Sequence, residues 1–279
     1  CYNLIRFPSQ ERKNTMSEKS VIESTIEPIT KERIIYDLMR GGIDSRDNVL
    51  LHSSLSSLGW VIGKSMTVVD AFLEVLVDGT LIMPAQTGDN SDPSKWVNPP
   101  VPESWWPIIR EHTPSFHPEH FDTRGMGKVV ECFRHYKGVL RSPHPTSSFL
   151  AKGRQAKYIV KNHPLTPTFG MASPLGRLYD LNAKVLLLGV GFGNATALHL
   201  AEAISGVLSK EQNGTKFNEK WVDYEDFAYD SDRFEEIGEL LLQEEIAYTF
   251  EVGQAKAICF RVRDAVDFAS NWWKEHPPV

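Results

Sequence analysis

The segment Lys184–Glu202 constrains the fold more than any other part of this chain. It opens on a continuous apolar run, Val185–Leu188, of the kind found in a strand buried on both faces. Glycines at 189, 191 and 193 follow, so the backbone is expected to turn tightly just after the strand. Asn194 or Thr196 is then placed to cap a helix carrying His199 and Glu202. Positions i and i+3 share a helix face, so this imidazole and carboxylate are expected to touch. A histidine held by a carboxylate at a strand–turn–helix junction is one way in which a fold presents a general base to a pocket. A His–Glu pair on an ordinary surface helix satisfies the same spacing, and spacing alone leaves both readings open.

A chain of 279 residues has room for a sizeable core in one large α/β domain or two small ones. No Pro/Gly/Ser linker divides it, so one domain is expected. The hydrophobic fraction of 41% and charged fraction of 24% are those of a soluble globular protein. A net charge of −6 argues against a general nucleic-acid binder and suits a cationic partner. Cys1, Cys132 and Cys259 lie far apart with no CxxC spacing, which reads as reduced thiols in a cytoplasmic protein. No apolar run approaches the roughly 18 residues of a membrane span, and no signal-peptide pattern opens the chain. Residues 1–15 are polar and irregular, and Met16 looks like a natural start. Residues 1–24 are therefore expected to be a disordered or extension segment, with the ordered domain at 25–279.

Further along, Thr30 caps a helix candidate ending at Arg40, and 48–54 reads as a buried strand. A helix at 65–77 and a strand at 80–84 complete a strand–helix–strand unit of a parallel sheet. Between Ala85 and Phe121 the texture changes: seven prolines and Trp96, Trp105 and Trp106 interrupt any periodicity. So long an irregular stretch is either a binding loop or a structural one anchored by tryptophans. A helix is expected at 123–134, a loop and strand at 139–153, and helices at 154–163 and 173–179. Strands and loops over 216–230, a helix at 231–244, a strand at 257–261 and a helix at 263–274 close the chain. Cys132, mid-helix without an adjacent base, reads as an inert thiol. His52, at a strand end, reads as a buried histidine with its hydrogen bonds satisfied, and His144 as a rigid-loop residue. His112, His117, His120, His135, His163 and His276 read as surface residues, and no third ligand accompanies His199 and Glu202 to make a metal site.

Six motifs in order carry a resemblance to a known family. They are His-Ser-Ser-Leu-Ser-Ser-Leu-Gly at 52–59, Leu-Ile-Met-Pro at 81–84 and Thr-Arg-Gly-Met-Gly at 123–127. Arg-Ser-Pro-His-Pro-Thr-Ser-Ser-Phe-Leu-Ala-Lys-Gly at 141–153 and Ser-Pro-Leu-Gly-Arg-Leu-Tyr at 173–179 follow, and the Gly-rich turn with its His and Glu ends the series. Together they span nearly the whole chain. The sequence resembles the aminoglycoside 3-N-acetyltransferases, and residues 92–106 resemble a Bacillus-type branch of that family.

The resemblance implies an α/β fold with a central mixed or mostly parallel sheet flanked by helices, distinct from the small N-acetyltransferase superfamily. It implies acetyl transfer from acetyl-CoA, without a metal, to the 3-amino group of a 2-deoxystreptamine aminoglycoside. An acetyl-CoA-dependent transferase for another amine, or a non-enzymatic CoA binder, is the alternative. His199 matches the family's essential histidine and Glu202 its supporting carboxylate. Thr196 or the backbone amides of 189–196 are expected to serve the oxyanion. For the coenzyme, Ser53, Ser54, Leu55, Ser56 and Ser57 sit where a strand ends and the chain turns. Arg124, Met126, Gly127 and Lys128 supply positive charge and close backbone approach beside them. Asp89, Asp92 and Glu103, with Trp105 and Trp106 as walls, are the expected holders of a cationic substrate. A homodimer is compatible with this reading.

Overall fold

The apolar run at 184–188 lies at the centre of a seven-stranded sheet. The computed structural model of the protein describes residues 17–277, so the segment before Ser17, including the expected extension at 1–15, lies outside the described residues. Helices α1 (Glu18–Ser24) and α2 (Lys31–Arg40) precede β1 (Asn48–Ser53), α3 (Lys64–Val75) and β2 (Thr80–Gln86). Next come α4 (Trp106–His112), α5 (Lys128–Arg134), β3 (Leu140–Arg141), β4 (Ser147–Gly153), α6 (Ala156–Val160) and α7 (Pro174–Asp180). The chain continues through β5 (Lys184–Leu188), α8 (Leu198–Ser205), β6 (Lys210–Phe217) and β7 (Lys220–Phe227). Helix α9 (Phe234–Gln243), strands β8 (Ala247–Val252) and β9 (Ala255–Arg261) and helix α10 (Val262–Glu275) complete it.

Strand order is β3-β4-β2-β1-β5-β9-β8. The centre is parallel, β2 and β5 both running with β1, and the wings are antiparallel hairpins. Every residue of β5 is buried, because helices cover both faces of the sheet. On one face Leu50, Val185 and Leu187 pack under residues of α6 to α10; on the other Val49, Leu51, Leu186 and Leu188 meet α2, α3 and α5. The alternation along β1 follows from the two-residue period of a strand, and it puts His52 on the face of Leu50, the side covered by α8. Strands β6 and β7 form a separate hairpin beside the sheet.

Four expectations are corrected. Residues 18–24 are helical, with the Ser17 side chain accepting from the Ser20 amide at the start, so order begins before Thr25. Strand β8 was missed. Its Tyr-Thr-Phe-Glu-Val composition and the two-residue turn at Gly253–Gln254 were the available signal. Helix α5 begins at Lys128 rather than 123, because Gly125 and Gly127 take φ of +73° and +86° and hold the chain out of the helix. Neither Asn194 nor Thr196 caps α8: a 3₁₀ turn occupies Phe192–Asn194, and the helix starts after Ala197 without a side-chain cap.

Candidate active site

The expected His199–Glu202 contact is present. His199 Nδ1 and Glu202 Oε2 lie 2.5 Å apart on successive turns of α8. Glu202 is fully buried, and its other oxygen accepts from the Asp230 amide at 3.2 Å. Burial pushes the Glu202 carboxyl up, while positive charge on His199 and the hydrogen bond from it pull the other way. The ring of His199 is clamped by aromatics: Phe169 stacks at 4.9 Å and 11°, Phe234 packs at 4.8 Å, and Tyr229 meets it edge-on at 5.6 Å. With Nδ1 committed to Glu202, Nε2 is the nitrogen left for chemistry. It belongs to a side chain that lines a cavity of about 750 Å³. The surface-pair reading of His199 and Glu202 is thereby excluded.

The turn before α8 is tightly determined. Gly189 takes φ +68°, and a Cβ there would come within 2.4 Å of the Ser57 side chain. Ser57 donates to the Gly189 carbonyl at 3.1 Å and to Ser54 Oγ at 2.9 Å. It ties the two motif turns together and is not part of the cavity lining, unlike the other residues expected at the coenzyme. Ser53, Ser54, Leu55 and Ser56 do line the cavity, as do Arg124, Met126, Gly127 and Lys128. Two turns 70 residues apart in sequence thus meet on one wall. Most amides of the glycine turn are spent: Gly189 on Lys256 O, Gly193 on Glu235 Oε1, Asn194 on Gly191 O, Ala195 on Phe192 O and Thr196 on Asn194 O. The Thr196 side chain lines the cavity and makes no hydrogen bond among the described residues.

The expected substrate holders fall elsewhere. Asp92 pairs with Arg110 at 2.8 Å, Asp89 pairs with Arg124, and neither lines the cavity. Glu103, Trp105 and Trp106 are also outside it, and Trp105 is exposed. The tryptophans that do line it are Trp60 and Trp96, and the Trp96 indole N–H donates to Ser91 Oγ. Asn90 and Thr215 stitch this loop to the β6–β7 hairpin through Thr215 Oγ1 to Asn90 O at 2.7 Å. The hairpin in turn contributes Tyr224 and Asp226 to the lining. Sequence reasoning missed these two because β7 is a polar strand whose inward face exists only once the hairpin has folded over the sheet.

The histidines divide differently from expectation. His144 is a buried lock, its Nδ1 accepting from the amides of Thr146 and Ser147 and its Nε2 lying 3.2 Å from Leu165 O. His163, expected on the surface, is buried between Ser142 Oγ and Thr168 O. His52 is buried as expected but unsatisfied, for its Nε2 has no partner. Among the described residues one group has metal-type spacing, the exposed His117, Glu119 and His120, and it lies outside the lining.

Fold and site together define an α/β protein that presents an oriented imidazole on the wall of a long cavity. The family model for aminoglycoside 3-N-acetyltransferases matches residues 50–274. The chain is 41% identical to the SPbeta prophage-derived aminoglycoside N(3′)-acetyltransferase-like protein YokD of Bacillus subtilis, over 91% of this chain and 96% of that one. It is 31% identical to aminoglycoside N(3)-acetyltransferase IX of Micromonospora chalcea, over 92% and 98%. The crystal structure of YokD superimposes with a TM-score of 0.90 over 94% of this chain and 100% of that one, at 39% identity. A structure of AAC-VIa bound to sisomicin does so at 0.79, over 90% and 99%, at 26% identity. The chain belongs to the aminoglycoside 3-N-acetyltransferase family. No helix among the described residues is long and apolar enough to cross a membrane.

Proposed function

We propose that this protein transfers the acetyl group of acetyl-CoA to the 3-amino group of a 2-deoxystreptamine aminoglycoside, with His199 as general base and Glu202 as its orienting partner. The observation that carries the reading is the 2.5 Å His199–Glu202 contact on the wall of a cavity that also reaches the 53–56 turn and Arg124–Lys128. An aminoglycoside amine is largely protonated near neutral pH and cannot attack a thioester in that form. The amine first loses its extra proton to solvent, and His199 Nε2 then accepts a second N–H proton as the neutral nitrogen bonds to the acyl carbon. The thioester oxygen becomes an oxyanion, the C–S bond breaks, and the imidazolium returns its proton to the CoA thiolate. Glu202 fixes the ring and favours the imidazolium through a charge-assisted hydrogen bond. The products are the N-acetylated amine and free CoA.

Lys64, Arg124 and Lys128 on the lining suit the phosphates of the coenzyme, and the Ser53–Ser56 turn suits its pantetheine amides. Arg124→Ala is expected to raise the KM for acetyl-CoA about five-fold, the effect of roughly 1 kcal/mol at an exposed charge contact. kcat should change little if that contact is equal in ground and transition states. Steady-state kinetics at saturating amine measure both constants.

One observation favours a second reading, a transferase of the same mechanism acting on a less charged amine. Among the described residues the carboxylates of the lining are Glu18 and Asp226. Asp226 already accepts from Thr166 Oγ1 and from the amides of Thr168 and Phe227. An assay of free CoA release with aminoglycosides, polyamines and simple amines decides between the two. Turnover with 2-deoxystreptamine compounds is the expected result; turnover confined to other amines establishes the second reading, and none with any amine refutes both.

A further inference from the structure

His52 has no place in the mechanism above, yet it lies beside it. The side chain lines the same cavity as His199 and is 93% buried, at 7% residual exposure. Its Nε2 has no hydrogen-bond partner among the described residues. A buried donor or acceptor left unpaired costs about 1–3 kcal/mol, and native proteins rarely keep one without use. The two-residue period of β1 turns His52 to the α8 face of the sheet, and β1 pairs it with Leu187, two residues before the glycine turn. It therefore shares its cavity with Thr196 and His199.

The reaction needs a donor there. Charge develops on the acyl oxygen as the amine attacks, and the expected source, the amides of the glycine turn, is mostly committed within the protein. The Thr196 hydroxyl and His52 Nε2 belong to side chains of the cavity lining and have no hydrogen-bond partner among the described residues. Burial, with the charge of His199 adding to it, lowers the His52 pKa to about 3. The ring is thus neutral whenever the enzyme works, and it neither competes with His199 for the proton nor repels the imidazolium. A neutral imidazole can still donate one N–H, and such rings serve elsewhere as electrophiles. We propose that His52 is a second imidazole of the reacting centre, its Nε2–H donating to the oxygen of the transferred acyl group beside Thr196. This rests on the transferase reading and adds to it a residue that polarises the thioester.

The test compares the unaltered protein with His52→Leu and His52→Gln, using acetyl-CoA and the best amine from the panel. His52→Leu is expected to lower kcat by about 10²–10³-fold, as for loss of one oxyanion donor, with acetyl-CoA affinity by calorimetry and the thermal midpoint little changed. His52→Gln, whose amide N–H reaches the same oxygen, should recover about tenfold of that loss. A kcat for His52→Leu within threefold of the unaltered protein overturns the proposal, as does a loss confined to acetyl-CoA binding. If His52→Leu does not fold, nitrogen-edited NMR of the unaltered protein decides. The His52 Nε2–H should stay protonated and neutral from pH 8 to 5 and shift downfield when acetyl-CoA is added. An unmoved signal on saturation overturns the proposal. An unaltered protein that neither binds acetyl-CoA nor releases CoA refutes the transferase reading and this role with it, whereas normal turnover with an indifferent His52 refutes this role alone.

Discussion

His199→Ala should lower kcat by about 10²–10⁴-fold, the contribution of a positioned general base, while acetyl-CoA affinity stays nearly intact. The separation is expected because His199 sits on α8 among Phe169, Tyr229 and Phe234, whereas the residues proposed for the coenzyme come from the 53–56 and 124–128 turns. The kcat/KM profile should fall on the acid side as the base takes up its proton. Glu202→Gln should cost less than loss of the ring. The amide keeps the shape of the carboxylate and can still accept from Nδ1, but it no longer stabilises an imidazolium by charge. Burial raises the Glu202 carboxyl, and the histidine it faces and the Asp230 amide act in the opposite direction, favouring its charged form. Near-normal turnover by His199→Ala at pH 7 and saturating amine would remove His199 from the mechanism. An acid limb that persists unchanged in His199→Ala would belong to the amine substrate instead.

The second large effect is acid destabilisation. His52, His144 and His163 are buried neutral, with pKa values lowered to about 3, to about 4 and well below the ordinary 6.5 respectively; burial is the main cause in each. For His144 the backbone enforces it as well, because Nδ1 already accepts two amide protons. In the unfolded chain all three titrate near 6.5. The unfolded state therefore binds more protons than the folded one below that value, and stability must fall as pH falls. The contribution is whole above about pH 6.5 and is lost progressively towards the folded values. Each group can give up to about 1.4 kcal/mol per pH unit in that window. Glu202 and Glu211 act in the opposite sense, since burial raises both carboxyls. A net slope of about one to two protons between pH 6.5 and 4.5 is expected from urea titrations at several pH values. His144→Asn should remove about one proton from that slope. A stability independent of pH across this window would mean that these imidazoles are not buried neutral.

Much of the framework is written locally. The run at 184–188, the glycines after it and the i,i+3 spacing of His199 and Glu202 require nothing beyond strand period, turn chemistry and helix geometry. Each appeared where those rules put it. The same holds for β1–α3–β2 and its parallel pairing. The Ser-rich turn was placed at a strand end by the same rules, and it lines the cavity together with Arg124 and Lys128. Caps were less legible: Thr30 accepts the bond expected of it, whereas Asn194 and Thr196 are held away from α8 by an intervening 3₁₀ turn.

What the tertiary structure alone decided is which side chains face one another across long gaps in sequence. Acidic residues in an irregular loop look equally available for a cation until their partners are known. Asp92 and Asp89 turn out to be answered by Arg110 and Arg124, while Asp226 on β7 reaches the cavity because the hairpin folds over it. Exposure and pairing of a histidine have the same character: His163 carries no local mark of burial, and only packing places it between Ser142 and Thr168 and leaves the buried His52 without a partner for Nε2. Secondary structure follows from interactions within about four residues along the chain and is therefore written in it. Ion pairing, burial and the protonation states they impose depend on distances set by the packing of elements far apart in sequence.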